Sequence, residues 1–513
     1  MPDALADIRV DELKCLGSAV RFVTAAADYA EDADRVHVSP DAVQGALAPA
    51  LSALAHFTTA LRTLRANGLS LQHALALHRV YTDGAVTHLL RSGVVSQAEC
   101  VLWDLTVLAF WENELGRSFS ESQQWQFFLP LKLGGCGFQS AQWRRAPAFV
   151  GSWELCFHAV ATTLDFPSAE SFRAACPRVV ASLASAAAEM GLPASQVRFE
   201  WTKLFGEPAR RRQRALGAAV HAEKLKKLLA AVPEADRVDI RSAGGPGAGL
   251  FLLSPELGAH VLGDLHLAVA LRRRLRFPYA ARRDLPTSPS HCNHRLPKGA
   301  CCGVALDARD LHAATCDIGG GVTHGHNSIR DWLAEWVGEH TTGKAAPTEQ
   351  FVPAWDRPKV DPETQQQVVD AEGKPQFEHA RLDVAFFDGA GRQVYVDVVV
   401  TSAATTCAQT QAQRASTDGA AAADAVRGKR SKYPVAKSPH TPLVPFAVEA
   451  LGRLSPEAQG LLNALAPADK KVRSQVLRTA KQTLSVLVQT RLAELLLSAE
   501  PGRGCTGPVA PAA

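Results

Sequence analysis

The stretch Arg381-Leu382-Asp383-Val384-Ala385-Phe386-Phe387-Asp388-Gly389-Ala390-Gly391-Arg392-Gln393-Val394-Tyr395-Val396-Asp397-Val398-Val399-Val400 decides the reading of this chain. Its flanks are β-branched and aromatic, the types that fit a pleated surface, and the Asp-Gly-Ala-Gly between them is turn chemistry. The pattern predicts a β-hairpin. With the turn centred on Ala390, Asp383 stands opposite Asp397. Opposed residues of an antiparallel pair have Cβ atoms roughly 4.5–5.5 Å apart. Two carboxylates about 5 Å apart repel by roughly 3 kcal/mol at an effective dielectric of about 20. A divalent cation between them offsets that repulsion, because Mg²⁺ is held by one or two carboxylates with waters and phosphate oxygens completing its shell. The other reading is a bulge at Gly391, which slips the register by one and sends the aspartates to opposite faces.

Outward from the hairpin, 513 residues predict two or three domains, since single cores rarely grow far past roughly 250–300 residues. Hydrophobic residues make up 47% and charged residues 21%, enough to bury a core while keeping a soluble surface. The net charge of +4 is mild, but the basic residues cluster at Arg210-Arg211-Arg212-Gln213-Arg214, at 224–227, and at Arg272-Arg273-Arg274-Leu275-Arg276 with Arg282 and Arg283. Such clusters suit a phosphate backbone or a solvated helix face. No apolar run reaches the length of a membrane span, so no membrane partner is expected. The opening Met-Pro-Asp-Ala-Leu-Ala-Asp has no basic region and no apolar core, and is expected to be neither a signal nor a transit peptide.

Residues 40–270 carry apolar positions at helical spacing, with breaks at Asn67-Gly68, Pro130, Gly134-Gly135 and Pro177, and predict a helical bundle. Beyond it, Ile329, Trp332, Leu333, Trp336 and Val337 share one helix face. An Ala-rich stretch, 403–426, runs into Arg427-Gly428-Lys429-Arg430-Ser431-Lys432-Tyr433 and stops at Pro434. Two further helices are expected within 445–465 and 468–498.

Four of the 11 cysteines fall between Cys292 and Cys316, in a run of His291-Cys292, Cys301-Cys302, His312, Cys316 and His324-Gly325-His326. Thiolates and imidazoles this close predict a tetrahedral zinc site in a reducing compartment, more than a disulfide framework. Zinc binding of roughly 10–16 kcal/mol would hold together a segment poor in core residues. The expected ligands are Cys292, Cys302, His312 and Cys316; Cys301 competes with Cys302, and His326 could replace Cys292.

Several of these segments, in this order, resemble the C-terminal part of non-LTR retrotransposon polyproteins that carry a restriction-like PD-(D/E)XK endonuclease. Leu13-Lys14-Cys15-Leu16-Gly17 is similar to the "KYLG" segment just beyond a reverse-transcriptase palm. The segment Leu129-Pro130-Leu131-Lys132-Leu133-Gly134-Gly135-Cys136-Gly137-Phe138 resembles the thumb and linker "LPLRxGGLGL". The run from Leu306-Asp307 through His312, Cys316, Gly319-Gly320-Gly321 and His326-Asn327 resembles the family's CCHC knuckle and its "RHN" continuation, with Gly325 for the arginine. Arg381-Leu382-Asp383 stands where "RPD" is expected, Asp397 where the second acid falls, and Val399 where the motif lysine is missing.

The resemblance implies an α+β chain: an all-α, thumb/linker-like bundle, a zinc knuckle, then a PD-(D/E)XK α/β nuclease core. The domains expected are a palm-end and thumb-like region at 1–145, a helical linker at 146–285, the knuckle at 286–325, the endonuclease at 326–465, a C-terminal helix at 466–500 and a disordered tail at 501–513. Asp383 and Asp397 would hold Mg²⁺. The missing lysine would come from the following helix, as Lys429 first and Lys432 second, and Glu349 could add an acid. Arg272, Arg273, Arg274, Arg276, Arg282 and Arg283 would contact nucleic acid. The activity implied is nicking of DNA by a nuclear protein with the element's RNA as a further partner. The polymerase palm is expected to be missing, as in a truncated element. The alternatives are a catalytically inactive nucleic-acid-binding remnant and a zinc-containing protein adaptor.

Overall fold

A computed structural model describes residues 45–93, 95–278, 291–295, 299, 301–361, 363–439 and 442–499, with two short strands at 12–15 and 18–21. Arg282, Arg283 and the tail at 501–513 lie outside the described residues, as do Leu16 and Gly17 of the first family-like segment. Leu13 to Cys15 belong to the strand Glu12–Cys15, which pairs antiparallel with Ser18–Arg21. The chain is mixed α+β and divides into two compact units; unit 1 takes most of residues 1–231, and unit 2 takes 70–73, 131–136 and 232–513. The boundary expected at 145/146 is not a division, because the helix Ala141–Thr163 runs straight across it. Among the described residues no helix is long and apolar enough to cross a membrane.

Unit 1 is helical where the spacing predicts it. The helix Ala48–Ala66 ends at Asn67, and Pro177 opens a helix at its first turn, where the missing N–H costs nothing. Ser96 and Ser120 close capping boxes with Glu99 and Gln123, satisfying N-terminal N–H groups that the helices leave open. An aromatic cluster of Phe110, Trp111, Phe127 and Phe138 surrounds His78, whose Nδ1 accepts from Trp111 Nε1 at 3.1 Å. Burial, with the positive charge of Arg62 added to it, pushes His78 down to about 3, so it is a neutral core acceptor. Arg212 of the first basic cluster is tied to Glu154 at 2.9 Å, and Lys224 of the second lies over the rings of Trp125 and Trp143.

Unit 2 holds the predicted hairpin at the centre of a four-stranded sheet. The elements that matter are helix α1 (Gly321–Glu339), strands β1 (Thr348–Phe351), β2 (Arg381–Phe387) and β3 (Gln393–Thr401), helix α2 (Ala420–Lys432), strand β4 (Leu443–Glu449), and helices α3 (Pro456–Leu465) and α4 (Lys470–Ser498). The sheet order is β1-β2-β3-β4. β3 and β4 are parallel, and α2 lies on the crossover between them, as a parallel pair requires. One face of the sheet packs Val384, Phe386, Val396, Val398, Phe446 and Val448 against α1, α3 and α4. The predicted apolar stripe of α1 supplies Ile329, Leu333, Trp336 and Val337 to that core. On the other face Val399 and Ala447 pack against Ala422 and Val426 of α2.

The two helices expected within 445–465 and 468–498 are α3 and α4, and the residues ahead of α3, 443–449, form β4; Pro445 is tolerated because β4 lies at the sheet edge. The C-terminal helix expected as a separate piece is part of the sheet's core, through Ala480, Leu484 and Val488.

Candidate active site and metal centre

The hairpin register keeps the aspartates together. Val384 pairs with Val396 and Phe387 with Gln393, so the next step along the ladder sets Asp383 opposite Asp397. Gly391 adopts the left-handed conformation the turn needs (φ 73°) without slipping the strands. The bulge reading is thereby excluded. At this step the ladder opens, and the Val398 N–H donates at 2.7 Å to the Asp383 carboxylate. Asp383 and Asp397 are both buried, and each carboxyl acts on the ionisation of the other.

Lys429 reaches this pair from α2. Val399, two residues beyond Asp397, faces the same side and is covered by Val426, so no lysine fits there. Three residues further along α2, on the same helix face, Lys429 places its ammonium 2.7 Å from Asp397 Oδ2. That is ion-pair distance, yet the approach is out of line, and the buried Oδ2 accepts no aligned hydrogen bond. Lys432 goes elsewhere: it is exposed at the last turn of α2, with its ammonium 5.2 Å from the ring centre of Tyr433.

His326 belongs to this site and not to the zinc ligands, where it was the alternative to Cys292. It sits in the second turn of α1, its Nε2 3.2 Å from Asp383 Oδ2 and 3.2 Å from the carbonyl of Val398. A proton on Nε2 is donated to those two acceptors. The hydrogen bond to Asp383 outweighs burial and raises His326 above its ordinary range. Burial pushes Asp383 up, but His326, Asp397 and the Val398 N–H together hold it below the usual carboxylate range. Asp397 goes the other way. Burial and the Asp383 charge outweigh Lys429 and lift it to about 6. The pair therefore tends to share one proton, the behaviour of two carboxyls that cannot both ionise side by side.

Glu349 does not join them. It adopts a left-handed backbone (φ 57°) on β1, and its carboxylate is engaged by Arg330 and Arg381. Two guanidiniums already neutralise it.

The four predicted knuckle ligands do converge: ligand atoms of Cys292, Cys302, His312 and Cys316 all lie within 4.8 Å of one another. Cys301 is exposed outside the cluster. A tight β-turn structure, with Cys292 N–H donating to Val304 O and Cys302 N–H to His294 O, delivers the first two cysteines. The short helix Leu311–Thr315 delivers His312 and leads into Cys316. Cys302 Sγ lies 3.1 Å from His312 Nε2. Burial pushes the Cys292 thiol up and that of Cys316 to about 12. Three thiols and an imidazole in this arrangement could bind a metal such as zinc, whose charge would reverse those shifts. Among the described residues no other group of three or more His, Cys, Asp or Glu side chains closes so tightly. His294, unmarked in the sequence reading, anchors the segment to α4 through Leu495 O at 2.9 Å and Ser498 Oγ at 2.8 Å.

Of the arginines expected to bind nucleic acid, those described turn inward instead. Arg272, Arg273 and Arg274 are 3%, 6% and 1% exposed. Arg273 pairs with Asp239 at 2.9 Å and Arg276 with Asp236 at 2.6 Å. Arg274 donates to the carbonyls of Leu131, Gly135 and Ala248. The helix Asp264–Arg274 turns this face inward, so the run is internal bracing. Its target loop is the LPLKLGG segment, where Gly134 lies so close to Ile240 O that a Cβ would sit 2.6 Å away.

The chain matches no known family profile and no curated protein.

Proposed function

We propose that unit 2 is a divalent-cation-dependent DNA endonuclease, built on the PD-(D/E)XK plan, of a non-LTR retrotransposon protein. The observation that carries this reading is the convergence of Asp383, Asp397 and the Lys429 ammonium at one end of the sheet. The order α1-β1-β2-β3-α2-β4 supports it, as does the resemblance of the motifs in sequence. Asp383 and Asp397 would hold the cation; hard oxygen donors suit Mg²⁺, and the two buried carboxylates supply them. Bound there, the cation supplies Lewis-acid stabilisation of a phosphoryl oxygen and a water of lowered pKa. Lys429 holds a positive charge where negative charge develops on a phosphate under attack. His326 orients Asp383 and keeps a proton on its oxygen-facing nitrogen. The Cys/His cluster would hold zinc as a structural ion next to this domain. A nuclear location and element RNA as second ligand follow from the same reading.

Supercoiled plasmid with Mg²⁺ tests it. Wild type is expected to yield open circles, and Asp397→Ala none. Plasmid that is bound and left intact by wild type would leave only the remnant reading, a nucleic-acid binder without cleavage.

A further inference from the structure

Among the described residues, Arg491 is a buried cation with no ion-pair partner. It lies on α4 and is 6% exposed. Its stem crosses α1 at Gly325: a Cβ there would sit 2.2 Å from Arg491 Cδ and 2.7 Å from Nε. That glycine is the neighbour of His326, which touches Asp383. Nε is sealed from solvent without a hydrogen bond. Among the described residues no carboxylate stands against the guanidinium; burial depresses it below the ordinary arginine range. The other deeply buried arginines with assigned contacts are satisfied, Arg273 by Asp239 and Arg274 by three carbonyls.

An uncompensated buried charge is costly, and a chain that gains only packing there would do as well with methionine or leucine. A guanidinium presents a planar fork of donors that matches a phosphate bidentately. α1 is held open for it, because any side chain larger than glycine at 325 would occupy its path. We propose that Arg491 is the phosphate-binding residue that receives the DNA backbone next to the Asp383/Asp397 site. The terminal N–H groups of the guanidinium, which unlike Nε are not sealed, are the binding determinant, and the phosphodiester is their counter-charge. This rests on the endonuclease reading for the identity of the anion.

The test uses the full chain with Arg491→Met, Arg491→Lys and Gly325→Ala, and a fluorescent 30-base-pair duplex titrated at several salt concentrations without added Mg²⁺. Arg491→Met is expected to melt no lower than wild type while its duplex Kd rises about 5–20-fold and the salt slope falls by about 1. Arg491→Lys keeps most of the affinity. Gly325→Ala weakens binding with the charge still present, because it displaces the stem. Unchanged affinity and slope in Arg491→Met overturns the assignment, and so does a lower melting temperature, which marks a packing role. Plasmid nicking by wild type is scored in parallel. Binding that weakens in Arg491→Met without any nicking removes the nuclease reading alone, whereas nicking with unaltered Arg491→Met binding removes only the phosphate site.

Discussion

Replacing Asp397 by asparagine should make the protein more stable, by an amount that depends on pH. Asp397 is raised from 3.8 to about 6 in the folded state by burial and by Asp383. The folded state therefore binds this proton more tightly than the unfolded chain, and the associated stability is present below the ordinary carboxylate range and lost as pH rises through about 6. Two pKa units correspond to about 3 kcal/mol at pH 8. Asparagine removes that cost but also leaves Lys429 without its partner, so a net gain of about 1–3 kcal/mol is expected at pH 8 and close to none at pH 3. Asp383 carries the opposite sign and is present in both proteins. For a unit of this size each kcal/mol moves Tm by about 2–4 °C. The assay is thermal unfolding of wild type and Asp397→Asn from pH 3 to 8, without chelator so that a zinc knuckle stays intact. Mg²⁺ at ten times its Kd should then stabilise wild type by about 1.4 kcal/mol and the variant by much less. A variant that melts lower at pH 8, or an equal Mg²⁺ response in both, refutes the reasoning.

Lys429→Met should lower plasmid nicking by about 10²–10³-fold, the scale of removing one group that stabilises transition-state charge, while Lys432→Met changes it by less than about twofold. Cys316→Ser should bind substoichiometric zinc by elemental analysis, and its unfolding should become independent of added zinc. Arg273→Ala should destabilise by about 3–5 kcal/mol in denaturant melts, because Asp239 is left buried with only Arg309 beside it, with no change in the salt dependence of duplex binding by the folded fraction.

The hairpin was legible because a period-two pattern with one turn fixes register, and register alone brings Asp383 to Asp397. Lys429 was legible through the family resemblance, which implies a lysine delivered from the following helix, and the basic end of that helix offers Lys429 and Lys432. The knuckle ligands followed from residue type and spacing. What composition could not show is which charges face inward. Arg272 to Arg276 look like a solvated face until Asp236, Asp239 and the carbonyls of 131–136, distant in sequence, are seen beneath them. His326 sits ten residues past Cys316, and only the rotation of α1 decides whether it turns to the thiols or to Asp383. β4 was hidden by Pro445, a residue that argues against a strand unless the strand is known to lie at an edge.

Helix α4 joins two regions that are far apart in sequence. Its middle, through Leu484 and Val488, completes the core beneath the sheet, and its end, through Leu492 and Leu496, packs with Cys292 and Cys316. A ribosome delivers residues 381–400 well before 470–498. During synthesis the aspartate-bearing strands therefore wait, only partly covered on one face, until this last helix emerges. A nascent chain can set its hairpin register early but cannot seal that face or the thiol cluster, and any message cut short before about residue 498 should yield a product that neither folds stably nor retains metal.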